Sequence, residues 1–393
     1  MIRITRLLHG KGTVSELIKR RKGSLSDVPS ELLAFTEANR PLVFWNLTNR
    51  CNLLCSQCYI NAKSGNSNNE ELSTDEAKNF IDNLAEMKIP LLMFSGGEPL
   101  LRKDLWELAS YAKSKGLKTA LSSNGTLITK EIAAKIKKVS IEYVGISLDG
   151  VNQKTHDAIR GKPGSFKKSI QALKNCVDIG LKCGVRITAT AENLNEILSL
   201  LDLTVKLKIP RFCLYWLVPS GRGRELSRSK NLEKSDVEQI LEGLYEKTKE
   251  LDPNEFEILT VDGPQDGIYI IKKMEKENLP GYRDALKLLQ LTGDSCSAGI
   301  RIANVDPFGN VFVCQFAQLD ELKIGNVRDR KFSEIWKDNN NPILSAFRNK
   351  IENLSGKCGE CDHKELCGGG CRIRAYIQYN DLWAEDPLCP INE

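Results

Sequence analysis

Residues 40–59 read RPLVFWNLTNRCNLLCSQCY, an apolar run followed at once by three closely spaced thiols, and this stretch decides the fold. PLVFWNLT (41–48) has the length and the β-branched and aromatic content of a buried strand, with Cys51, Cys55 and Cys58 in the polar loop after it. Working outward, similar runs recur at LLMFS (91–95), LKTALSS (117–123), YVGISLD (143–149), CGVRITAT (183–190) and RFCLYWLV (211–218). Amphipathic stretches lie between them, starting near Ser73, Lys103, Thr129, Ser165, Asn193 and Glu233; Ser73 and Glu76 have the capping-box spacing. Six strand–helix units predict an α/β protein, and six fall short of the eight that close a full barrel. A partial (β/α)6 TIM-like barrel is therefore expected over 41–252.

Past Asp252 the alternation is expected to stop. A charged helical linker is expected over 253–295, then a small cysteine-rich domain over 296–393 whose apolar runs are too few to bury a core unaided. Such domains are held by metal or disulfides. At the other end, residues 1–40 form a basic lead-in, with seven Lys/Arg between Arg3 and Lys22 against one Glu, read as a surface helix capping the barrel.

The 393 residues are 41% hydrophobic and 27% charged, which excludes disorder as the main state. No apolar run approaches the roughly 20 residues of a membrane helix, and the N-terminus has no apolar core of a secretory signal, so a cytoplasmic protein is expected. A formal charge of +5 is too small to mark a nucleic-acid partner.

The thirteen cysteines are an odd number and are clustered, and in a reducing compartment such clusters read as metal ligands before disulfides. Cys51, Cys55 and Cys58 form C-x3-C-x2-C. Three thiolates at a strand's carboxyl end can hold three irons of a [4Fe–4S] cluster and leave the fourth open. Zinc is the rival, but it wants four ligands, and no His or fourth Cys is near.

With Tyr59 directly after it, this loop resembles that of the radical S-adenosylmethionine superfamily, and the likeness continues at successive strand ends. Ser95-Gly96-Gly97-Glu98-Pro99 resembles the family's GGEP motif, which implies that its backbone and Glu98 receive the methionyl amino group. Ser122, Ser123 and Asn124 stand where the family contacts ribose and carboxylate. Ser147-Leu148-Asp149-Gly150, with His156, Asp157, Arg160 and Gly161, matches the pattern after strand four, and Leu217 to Gly223, including Val218, resembles the adenine-side turn. Singly, these groups read as turns and helix caps. In series, the resemblance implies a cofactor site of Tyr59, Gly96, Gly97, Glu98, Ser122, Asn124, Ser147, Asp149 and Val218 around a catalytic cluster on Cys51, Cys55 and Cys58. It also implies one-electron cleavage of S-adenosylmethionine to a 5′-deoxyadenosyl radical, anaerobic conditions, and an external low-potential donor such as flavodoxin or ferredoxin.

The seven tail cysteines resemble the SPASM extension of such enzymes, which binds auxiliary [4Fe–4S] clusters. That likeness implies one cluster on Cys358, Cys361, Cys367 and Cys389, and another on Cys296, Cys314 and Cys371; paired zinc knuckles are the plainer alternative. Sulfatase-maturing members have a further Cys and an Asp where this chain has Gln290 and Gln315, which leaves the inner cluster with an open iron, an oxygen ligand such as Asp294, or fewer irons. Cys176, Cys183 and Cys213 lie in apolar contexts and read as packing thiols, and His9 and His363 as structural or solvated.

Only 50 residues precede Cys51, too few for the leader-recognition domain of many peptide-modifying members. MIRITRLLHGKGT, residues 40–59 and the ending CGGGCRIRAYIQYNDLWAEDPLC more nearly resemble the tetrapyrrole branch, the enzymes of alternative heme and heme d1 biosynthesis that remove or oxidise acetate and propionate side chains. The expected substrate is thus a small-molecule iron tetrapyrrole whose carboxylate side chains are modified, with Arg222, Arg224 and Arg301 as candidate contacts. A peptide or protein maturase is the alternative, and an iron–sulfur electron carrier the non-enzymatic one.

Overall fold

The computed structural model describes residues 1–10, 40–63, 65, 70–229, 232–292 and 295–391. Most of the basic lead-in, most of the polar loop 64–69, and Asp294 lie outside the described residues. Eleven strands form a single sheet: β1 (Ile2–Arg3), β2 (Leu42–Asn46), β3 (Leu92–Ser95), β4 (Thr119–Ser123), β5 (Tyr143–Ser147), β6 (Cys183–Ala189), β7 (Arg211–Trp216), β8 (Glu257–Val261), β9 (Ile302–Val305), β10 (Asn310–Phe312) and β11 (Lys323–Asn326). Their order is β1-β8-β7-β6-β5-β4-β3-β2-β9-β10-β11. From β2 to β8 every pairing is parallel.

The six strand-like runs of the sequence are β2 to β7, and helices cross between them over Thr74–Glu86, Leu105–Ser114, Lys130–Lys138, Ser165–Asp178 and Ile197–Lys206. The first helix starts as its sequence requires: Glu76 N donates to Ser73 Oγ at 3.2 Å, and Ser73 N donates to Glu76 Oε2 at 2.8 Å. Cys176, Cys183 and Cys213 are buried in this layer. The connections place every β2–β7 carboxyl end on one rim, which is where barrels of this type build their sites.

Two features depart from the expected organisation. The alternation does not stop at Asp252, because β8 joins β7 in parallel with Glu257 opposite Arg211. The run EILTV does not read as a strand because it opens on a charge; Glu257 is wholly buried, held at 2.7 Å by the Arg211 guanidinium. The first residues add β1 to the outer edge of β8, antiparallel, with Ile2 opposite Thr260.

The cysteine-rich tail also does not stand alone. β9 lies parallel to β2, with Trp45 opposite Val305, so the tail's hairpin extends the barrel's own sheet. Phe332 stacks on Trp336 (centroids 6.0 Å apart) and meets Phe80 of the 74–86 helix edge-on at 5.9 Å. One continuous apolar core thus serves both regions. Among the described residues no helix is long and apolar enough to cross a membrane.

Candidate active site

A cavity opens at the carboxyl ends of β2 to β7, with about 1090 Å³ between its walls, mouth included. Of the residues expected at the site, Cys51, Cys55, Cys58, Tyr59, Gly96, Gly97, Ser122, Asn124, Ser147 and Val218 all line it.

The cysteine loop is gripped from three sides. The β3 turn presses on the segment leading into it: Gly97 N donates to Thr48 O at 2.8 Å and Glu98 N to Arg50 O at 2.7 Å. A Cβ on Gly97 would fall 2.0 Å from Arg50 O, so only glycine permits this approach. From the β7 end, Arg222 N donates to Cys58 O at 2.9 Å, while the Arg222 side chain reaches Cys55 O at 2.9 Å and Ala62 O at 2.7 Å. Arg222 therefore holds the loop as well as lining the cavity. From the β5 side, Leu54 N donates to Arg160 O at 3.1 Å.

Each sulfur meets a donor. Leu53 N lies 3.4 Å from Cys51 Sγ, Ala62 N 3.4 Å from Cys58 Sγ, and Arg160 Nη1 3.6 Å from Cys55 Sγ. Burial nonetheless pushes the Cys51 thiol up to about 12 and raises that of Cys55, so a bound metal is what would make these two thiolates. Among the described residues no three His, Cys, Asp or Glu side chains gather as ligands of a single ion. A cubane cluster gives each thiolate its own iron, and this spread of donors fits it better than tetrahedral zinc.

Glu98 and Asp149 take places other than those expected. Both are wholly buried and neither lines the cavity. The Glu98 carboxylate accepts from Ser123 Oγ (2.9 Å), Asn124 N (2.8 Å) and Leu100 N (3.2 Å), and burial pushes its carboxyl up to about 7. It braces the β3 and β4 ends against each other. Asp149 accepts from Gln57 Nε2 (3.0 Å) and Thr188 N (3.1 Å) and forms an ion pair with Arg160. Through Arg160 it sets the cation beside Cys55.

Tyr59 donates to Asn46 Oδ1 at 3.0 Å, sits 3.2 Å from Ser95 Oγ, and meets Phe316 edge-on at 5.5 Å, so a tail residue closes the cavity's far wall. Gln315 also lines the cavity; its Oε1 is buried and has no hydrogen-bond partner among the described residues. Arg224 and Arg301, expected as carboxylate contacts, do not line it. Arg160, from the pattern after strand four, does, and so do Gln57, Arg186, Thr188, Tyr215 and Phe316, to which no motif of the sequence gives a site role. His9 Nε2 lies 2.9 Å from Thr248 O, away from this cavity.

In the tail, burial raises the Cys314 thiol and the neighbouring thiols of Cys296 and Cys371 raise it further. Burial likewise raises Cys367, with Cys389 and Cys358 as its sulfur neighbours. Cys296 and Cys371 are thus neighbours of Cys314, and Cys358 and Cys389 of Cys367, with Cys361 beside Cys358. Gly368, Gly369 and Gly370 all have positive φ (67°, 81° and 77°), which lets the chain turn tightly between the groups. Asp386 anchors the turn: its carboxylate accepts from Cys371 N at 2.7 Å and pairs with Arg374 at 2.8 Å. Arg374 in turn donates to Leu217 O at 3.0 Å at the end of β7.

Comparison with known proteins agrees with this geometry. The radical SAM superfamily model matches residues 45–204, and an iron–sulfur cluster-binding domain model matches residues 296–362. The chain is 40% identical over 394 residues to the Fe-coproporphyrin III synthase of Methanosarcina barkeri, covering 99% of this chain and 97% of that protein. It is 35% identical over 366 residues to the AdoMet-dependent heme synthase of the same organism, covering 91% and 98%. In fold it is similar to Streptococcus suis SuiB bound to S-adenosylmethionine, with a TM-score of 0.68 at 18% identity over 90% of this chain and 78% of that one.

Proposed function

Since the chain belongs to the radical SAM superfamily, and is an enzyme of [4Fe–4S] clusters and S-adenosylmethionine, we propose that it removes carboxylate-bearing side chains from an iron tetrapyrrole in heme biosynthesis. The observation that carries this reading is the likeness to Fe-coproporphyrin III synthase, which runs through barrel, connecting segment and cysteine tail alike. Removal of acetate groups is favoured over propionate decarboxylation, because identity to that synthase exceeds identity to the heme synthase.

On this reading Cys51, Cys55 and Cys58 hold the cofactor-cleaving cluster, and the bound cofactor supplies a carbon-centred radical able to take hydrogen from an unreactive carbon. The chain's own groups do the rest. Arg160 balances charge beside Cys55. The β3 turn, Ser122, Asn124, Ser147 and Val218 shape the pocket for the adenosyl and methionyl parts. Tyr59 and Phe316 close the wall on the tail side and help exclude water. Cys358, Cys361, Cys367 and Cys389 ligate one auxiliary cluster, and Cys296, Cys314 and Cys371 the other. The enzyme works in the cytoplasm with an external low-potential donor such as a flavodoxin or ferredoxin.

Anaerobically reconstituted protein given S-adenosylmethionine, reductant and an acetate-bearing iron tetrapyrrole is expected to yield a product that has lost acetate, read by mass spectrometry. Loss of carbon dioxide from propionates instead would move the assignment to a heme-synthase reaction. No change in the tetrapyrrole, with crosslinks or oxidations on a small peptide, would replace it by a peptide maturase.

A further inference from the structure

Arg186 brings a positive charge to the cavity without a carboxylate of its own. Its side chain leaves β6 into the barrel interior, over Gly145 of β5, where a Cβ would lie 2.2 Å from Arg186 Nε. Nη1 donates to Ser122 Oγ at 2.6 Å, Nη2 lies 3.9 Å from Met93 Sδ, and the guanidinium sits 5.8 Å from the centre of the Tyr215 ring. Three other interior guanidiniums are balanced by carboxylates, Arg160 by Asp149, Arg211 by Glu257 and Arg374 by Asp386, while Arg222, which also lines the cavity, spends its donors on Cys55 O, Asn61 Oδ1 and Ala62 O. Among the described residues Arg186 has no such partner, and the charged groups nearest it include a second cation, Arg211.

An unbalanced guanidinium in a half-enclosed, aromatic-walled pocket is costly until an anion arrives, and its planar fork matches a carboxylate. Phe44, Tyr215, Trp216 and Phe316 supply flat apolar surface around it. A macrocycle with an apolar face and carboxylates on its edge meets both features at once. We propose that Arg186 is a carboxylate-binding subsite that takes one acidic side chain of the tetrapyrrole and so sets which edge of the ring enters the cavity. The proposal rests on the tetrapyrrole reading above. The amino-acid carboxylate of S-adenosylmethionine has the same chemistry, so the test must separate the two sources.

The test is equilibrium binding, read by optical titration, to the cluster-loaded protein and its Arg186→Gln and Arg186→Lys variants at matched iron content. The probes are iron coproporphyrin III, its tetramethyl ester, S-adenosylmethionine and decarboxylated S-adenosylmethionine. Arg186→Gln is expected to weaken iron coproporphyrin III by about tenfold or more, the loss of a charge-assisted pair. The ester should bind wild type and variant alike, S-adenosylmethionine should change less than about twofold, and Arg186→Lys should recover part of the loss. Equal iron coproporphyrin III affinity in wild type and Arg186→Gln overturns the subsite. Weakening confined to S-adenosylmethionine, and absent for its decarboxylated form, reassigns Arg186 to the cofactor and overturns it as well. If the wild type binds neither iron coproporphyrin III nor the acetate-bearing iron tetrapyrrole of the proposed reaction, the functional reading itself fails, an outcome distinct from the other two.

Discussion

Cys55 has a guanidinium beside its sulfur, Cys51 an amide from Asn124 at 3.9 Å, and both have been drawn away from water by the loops around them. Replacing Cys55 with Ala should remove the first cluster: iron per chain falls, and cleavage of S-adenosylmethionine under dithionite drops to background, measured as 5′-deoxyadenosine. A second residue-scale expectation concerns acidity. Burial pushes the Asp262 and Asp266 carboxyls from 3.8 up to about 7, and Asp266 accepts the Trp216 indole N–H at 2.7 Å. Arg374 pulls both down, and Asp262 is further lowered by the amino terminus, but not enough to offset burial. The folded chain keeps protons on these two groups that the unfolded chain releases, so their contribution to stability is fully present below about pH 4 and is lost as pH rises toward 7, by up to about 1.4 kcal/mol per pH unit per group. Asp266→Asn should flatten that slope in a pH series of thermal midpoints. The cysteines were legible from spacing because ligation there is local. Arg186 was not: period-2 alternation sets it with Gly184 and Thr188 on the polar side of β6, which reads as solvent-facing but in a barrel is the interior near the mouth.

Elements were legible wherever pattern and capping agreed, as at Ser73 and along β2 to β7. They were hidden where a tertiary partner neutralised a charge, as Arg211 does for Glu257 at the start of β8. Glu98 shows the same limit at a motif: its sequence context resembles a ligand, and its contacts make it the cap of the short turn Pro99–Leu101. The β3 turn gives the clearest element-scale prediction. Gly97→Ala must push the turn off Arg50, at a cost on the order of 3 kcal/mol, and should leave a chain that folds less stably and loads less iron. Parallel melting curves and iron assays of wild type and variant would check it; unchanged values in both would contradict the close approach described.

At the scale of the molecule, the tail is continuous with the barrel through β9 on β2, Phe332 on Phe80, and Arg374 on the end of β7. Cutting the chain before Cys296 should therefore uncover the long parallel edge of β2 and give an aggregating barrel, by light scattering and gel filtration, where a detachable domain would leave a soluble one. Cys371→Ala, by contrast, should spare cleavage of S-adenosylmethionine while abolishing conversion of the tetrapyrrole, the two products being followed in one assay.

The placement of the two flanking strands also bears on how the protein is made. On the ribosome, Ile2–Arg3 emerges long before its partners Leu259 and Thr260, and β2 stays open on one side until Ile302 has been translated. Through most of synthesis the nascent chain therefore exposes two unpaired borders, and interrupted translation products of this protein should be clients of chaperones and proteases rather than working half-enzymes.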